Sequence, residues 1–120
     1  MGRMKTVYII DDDKDIREVM TYVLESEGYK TVPFSNASSA LEALKEGNRP
    51  MAIILDYMMP GMNGLEFLDK LSELPPEIQT VPVAFSSGMG RVDGINSSAK
   101  VTVLSKPIDL EQLFSFLNNI

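Results

Sequence analysis

Met51-Ala52-Ile53-Ile54-Leu55-Asp56-Tyr57-Met58-Met59-Pro60-Gly61-Met62-Asn63-Gly64 is the stretch from which the rest of the chain is read. Met51 to Leu55 are apolar without alternation, the pattern of a strand covered on both faces. One carboxylate, Asp56, follows where the run stops. The carboxyl ends of parallel strands open into the crevice where ligands sit, so Asp56 is expected at its mouth, presented and not buried. Pro60, Gly61 and Gly64 then turn the chain, because proline fixes φ and glycine accepts positive φ. Alone, such an aspartate reads as a turn or a helix cap. Three other stretches change that reading.

Upstream, Val7-Tyr8-Ile9-Ile10 repeats the arrangement and ends in Asp11-Asp12-Asp13. Ile16, Val19, Met20, Val23 and Leu24 then fall on one face of a helix that Gly28 ends, with Asp13 read as a solvated acid or its cap. Lys30 to Phe34 reads as a second strand, at an edge because of Pro33. Ser39-Ala40-Leu41-Glu42 has the capping-box pattern and opens a helix to about Gly47. Downstream of Gly64, Leu65, Leu68 and Leu71 carry a helix that stops before Pro75-Pro76. Val81 to Phe85 reads as the fourth strand, followed by Ser86-Ser87-Gly88, and Lys100 to Leu104 as the fifth, followed by Ser105-Lys106-Pro107. Asp109 and Gln112 are placed to cap a last helix lined by Leu110, Leu113, Phe114 and Leu117. Between Gly88 and Ala99 good helix formers are few, so the fourth helix is expected to be short or irregular. Alternation of strands and helices implies an α/β fold, a doubly wound parallel sheet with helices on both faces.

The composition limits the chemistry. The chain has 120 residues, enough for one domain spanning 1–120, and 44% of them are hydrophobic. Cysteine and histidine are absent, which excludes thiolate or imidazole metal sites and His-dependent nucleophilic catalysis. The missing cysteines fit a reducing, cytoplasmic setting. Seventeen acids against eleven bases leave a net charge of −6, which disfavours direct binding to nucleic acid. No apolar run approaches the ~20 residues of a membrane span, and no secretory signal is expected at Met1 to Lys5, which no long apolar region follows.

Asp11 and Asp12, Asp56, Ser87 and Lys106 therefore stand at the ends of strands one, three, four and five, which lie side by side in such a sheet. Three carboxylates brought together repel, and the remedies are a raised pKa or a bound cation; for a cation, an all-oxygen set selects a hard ion, Mg²⁺ first. Asp56 then reads as a nucleophile toward a phosphoryl group, with Lys106 as ammonium and Ser87 as hydroxyl donor. Ser86 competes with Ser87 for that last role. Asp11, Asp13 and Asp15 have the opening spacing of a calcium-binding EF-hand, but Ile16 and Tyr22 occupy its required Gly and Glu positions. Asp11-Asp12-Asp13 also fits the opening of a haloacid-dehalogenase-type phosphatase, a class that needs a larger chain and a later acidic pair.

Through Ile10-Asp11-Asp12-Asp13, Leu55 to Gly64, Pro82 to Gly88 and Ser105-Lys106-Pro107, the chain resembles the receiver domain of bacterial two-component response regulators over its full length. The resemblance implies a flavodoxin-like five-stranded sheet of order 2-1-3-4-5. It implies that Asp56 takes a phosphoryl group from a phosphohistidine on a sensor histidine kinase or phosphotransfer protein. Mg²⁺ would be held by Asp12, Asp56 and the Met58 backbone carbonyl, with Asp11 acting mainly through water. Ser87 would bind a phosphoryl oxygen and move with it, Lys106 would pair with the phosphate, and Pro107 would follow a cis peptide bond. Such a domain is no conventional enzyme; it catalyses its own aspartyl phosphorylation and dephosphorylation. Its output passes to an effector protein, or to an output domain beyond Ile120. A homodimer through the fourth helix, fifth strand and fifth helix is common in the family.

The sequence departs from the family pattern in two places. Val103 stands where receivers usually carry a ring on the fifth strand, so an order-to-disorder change in Gly88 to Lys100 is expected to replace ring rotation as the switch. Met58 and Met89 flank the site without polar groups to position a hydrolytic water, so a long-lived phosphoryl group is expected. The rival to a phosphoacceptor is a receiver-like protein-interaction scaffold that is never phosphorylated.

Overall fold

The computed structural model describes residues 5–88 and 101–120. In chain order the elements are β1 (Thr6–Ile10), α1 (Lys14–Ser26), β2 (Lys30–Phe34), α2 (Ala37–Lys45), β3 (Ala52–Asp56), α3 (Gly64–Leu71), α4 (Pro76–Gln79), β4 (Val83–Ser87), β5 (Val101–Ser105) and α5 (Leu110–Asn118). The five strands form one parallel sheet of order β2-β1-β3-β4-β5, as expected. The helix expected between Gly88 and Ala99, and the switch placed in Gly88 to Lys100, fall mostly on 89–100, outside the described residues.

Strict alternation along the strands sorts their side chains between two cores. Tyr8 and Ile10, Ile53 and Leu55, Val83 and Phe85 point to one face and pack with Ala40, Leu44, Phe67, Leu68, Leu71 and Ile78 from α2, α3 and α4. Val7 and Ile9, Ala52 and Ile54, Ala84 and Leu104 point to the other, toward Met20 and Leu24 of α1 and Leu113 and Leu117 of α5. Because both faces are covered, the strands read as unbroken apolar runs. Pro33 sits in β2, the edge strand beside β1, where its missing N–H breaks no inner ladder.

The helix ends show which local signals were read correctly. Asp13 caps α1, its Oδ1 accepting the N–H groups of Asp15 at 2.9 Å and Ile16 at 3.4 Å. Gly28, at φ 91°, takes the chain out of α1 through the left-handed region. The capping box expected at Ser39 is not the start of α2: Asn36 is the cap, and its side chain accepts the Ser39 N–H at 2.8 Å. Ser39 is thereby the third residue of the helix, which starts early enough to bury Ala37. Asp109 does cap α5, but Gln112 accepts the Ser105 hydroxyl at 3.2 Å and does not complete a box.

Other boundaries shift. β4 begins two residues later than expected because Val81 is drawn into the core after α4, a single turn with Pro76 at its start, where a missing N–H costs nothing. Val19 is 61% exposed, so the buried stripe of α1 is narrower than its apolar sequence stripe.

Candidate functional site

β3 runs one residue later than expected, and this decides where the carboxylate sits. Asp56 is the last ladder residue of β3 and pairs with Ser86 of β4, with Ser87 one residue further on. It is only 5% exposed. The expectation that Asp56 would be presented and not buried is therefore corrected. β3 is the middle strand, flanked by β1 and β4, and Lys106 reaches over from the end of β5 to cover the carboxylate.

Lys106 Nζ lies 2.8 Å from Asp56 Oδ1, which also accepts the Met58 N–H at 3.3 Å. The Lys106 backbone N–H donates to the Ser87 carbonyl at 3.1 Å, so one residue ties the ends of β3, β4 and β5 together. Ser87 is buried, as is Ser86. The Lys106–Pro107 bond is cis, as the resemblance implied.

Asp11 is buried and Asp12 exposed; ligand oxygens of Asp11, Asp12 and Asp56 lie within 4.8 Å of one another. Burial raises the Asp11 carboxyl above its ordinary value; the Asp13 N–H opposes this, the Asp56 charge adds to it, Lys106 opposes it and Asp12 adds to it. Three hard oxygen donors and no softer ligand fit Mg²⁺ in kind. Met58, whose carbonyl was expected as a ligand, has its backbone N–H on Asp56 and is an exposed residue. Met89 lies outside the described residues. Val103 pairs with Phe85 and packs, half-buried, against the face of α2 and α3.

The loop after Asp56 is held from several sides. Gly61 has φ 88°, and the Gly64 N–H donates to the Tyr57 carbonyl at 3.0 Å. A Cβ on Gly64 would stand 2.7 Å from both Phe85 Cε1 and Tyr57 Cδ1, so only glycine lets the loop close onto β4. Asn63 and Glu66 form a capping box at α3, each accepting the other's backbone N–H at 2.9 Å. This Asn-x-x-Glu pattern was legible in the sequence and was not used. Arg17, whose Nη1 donates to the Asp11 carbonyl at 2.6 Å, had no signal beyond its place one turn into α1.

A parallel sheet of this order gathers acids and a lysine at its carboxyl rim, where open α/β sheets bind ligands. The family model described as response regulator receiver domain matches residues 7–118, and the chain belongs to that family. The response regulator receiver protein CpdR of Brucella abortus is 31% identical over 111 residues, covering 92% of this chain and 91% of its own. Sporulation initiation phosphotransferase F of Bacillus subtilis is 29% identical over 110 residues, with 89% and 86% covered. Among solved structures, the receiver domain of the Francisella response regulator 1452 matches with a TM-score of 0.80 at 26% identity, covering 96% of this chain and 94% of its own.

Proposed function

We propose that residues 1–120 act as one receiver unit in which Asp56 accepts a phosphoryl group from a phosphohistidine on a sensor histidine kinase or phosphotransfer protein. The observation that carries this reading is the 2.8 Å contact of Lys106 with Asp56 beside the Asp11, Asp12 and Asp56 oxygens. Asp11, Asp12, Asp56 and the Met58 carbonyl would hold Mg²⁺, which when bound supplies positive charge against the clustered carboxylates and the transferring phosphoryl oxygens.

In the transfer an Asp56 oxygen forms the new P–O bond while the P–N bond to the donor imidazole breaks, and the imidazole leaves with the electron pair. Lys106 exchanges its partner, from the free carboxylate to a phosphoryl oxygen, and follows the charge as it moves outward. Ser87, next to the residue that pairs with Asp56, donates its hydroxyl to another phosphoryl oxygen. Burial of Asp56 keeps bulk water from competing with these donors. The signal passes to an effector or output domain, in the cytoplasm. The non-phosphorylated scaffold has no observation in its favour.

Incubation with Mg²⁺ and a small acyl phosphate, read by intact mass, tests the assignment. Wild type should gain one phosphoryl group, and Asp56→Asn, or wild type with a chelator, none. Wild type that stays unmodified, or an Asp56→Asn protein that is modified equally, overturns it.

A further inference from the structure

Asp12 is the exposed member of the acid cluster, and among the described residues no hydrogen bond or ion pair holds its side chain. Its position is therefore set by its backbone, and the peptide that joins Asp11 to Asp12 is the part that matters. Asp11 is tied at three points. Its N–H donates to the Phe34 carbonyl of β2 at 3.1 Å, its Oδ1 accepts the Asp13 N–H at 2.9 Å, and its carbonyl accepts from Arg17 Nη1 at 2.6 Å. The first two bonds fix Asp11 itself. Only the third acts on the Asp11–Asp12 peptide plane, because that carbonyl belongs to it. Arg17 is in turn anchored by its helix, its own N–H donating to the Asp13 carbonyl at 3.1 Å.

We propose that Arg17 is a positioning residue for the cation site: its guanidinium holds the Asp11–Asp12 peptide and so sets where the Asp12 carboxylate stands relative to Asp11 and Asp56. The guanidinium suits this place because it is always charged and its donors are rigidly arranged, whereas an ammonium on a flexible stem fixes no plane. Groups that orient ligands in this indirect way typically contribute 10- to 100-fold in metal affinity.

This inference rests on the proposed cation site, and its test separates the two. Mg²⁺ is titrated calorimetrically into the purified full chain as wild type, Arg17→Met, Arg17→Lys and Asp12→Asn, well below each protein's melting temperature. Arg17→Met should bind Mg²⁺ about 10- to 100-fold more weakly. Arg17→Lys should recover part of that loss through its single charged donor. The Mg²⁺ concentration for half-maximal labelling by the acyl phosphate should rise in parallel, while the rate at saturating Mg²⁺ stays near wild type. Loss of thermal stability in Arg17→Met with unchanged Mg²⁺ affinity would make Arg17 merely structural and overturn the proposal. Wild type and Asp12→Asn both failing to bind Mg²⁺ would instead overturn the reading of the cation site on which it stands.

Discussion

The face of the sheet toward α2, α3 and α4 and the face toward α1 and α5 come from the same five strands, yet they end differently at the carboxyl rim. The first is heavy with rings: Tyr8 packs edge-on against Phe34 at 4.9 Å, Tyr57 lies 5.5 Å from Phe85, and Phe67 is fully buried. Its alternation runs out into Ser87 and Ser105. The fully buried members of the second are ring-free, with Tyr29, Phe114 and Phe116 packed at its margin, and continuing its alternation past Ile9, Ile54 and Leu104 leads to Asp11, Asp56 and Lys106. Asp11, Asp56 and Lys106 thus leave the sheet with one parity, and Asp12 and Ser87 leave it with the other.

The contrast can be broken first by truncation. Phe67→Ala should cost about 4 kcal/mol, whereas Ile9→Val on the other face should cost about 1 kcal/mol, both read by urea unfolding. Equal losses would mean that the ring-rich face carries no extra share of stability. Next in size is Lys106→Met, expected to slow phosphoryl incorporation on the order of 100-fold while the protein stays folded. A rate within a few-fold of wild type would remove Lys106 from the reacting centre.

Gly64→Ala tests how tightly the loop after Asp56 is pressed onto Phe85, and should destabilise by about 2 kcal/mol through overpacking. A neutral result would show that the loop can lift without cost.

The smallest effect concerns Asp11, whose folded-state carboxyl is raised above the ordinary 3.8 chiefly by burial. Between that value and the raised one the folded protein holds more protons than the unfolded chain, so without divalent ions its stability falls as pH rises through this window. Asp11→Asn keeps the acceptor for the Asp13 N–H and removes the charge. It should therefore be slightly more stable than wild type at neutral pH, with the gain vanishing in acid. Mg²⁺ should reverse the order by stabilising wild type more. A gain that persists in acid would place its origin outside ionisation.

Much of this was legible because its causes are local. Unbroken apolar runs ending in Asp11 and Asp56 announced strands covered on both sides, and Asp13 and Gly28 marked the ends of α1. The errors came where two local signals competed. Ser39-x-x-Glu42 resembles a capping box, but Asn36 starts α2 three residues earlier and lets Ala37 and Ala40 reach the core. Val81 looks like strand and is instead core after a one-turn helix. The exposure of Asp56 was misjudged because burial depends on what covers the strand end, and Lys106 lies fifty residues away.

By itself the sequence determined the residue types at each strand end, and with them the hard-oxygen chemistry, since no histidine or cysteine was present to offer another. The tertiary structure alone decided that these groups meet, that Asp56 is shielded, and that Arg17 grips the peptide between the two acids. The reason is physical: period-two alternation is written along one strand, whereas distances between strand ends follow from register and crossover, which no single segment contains.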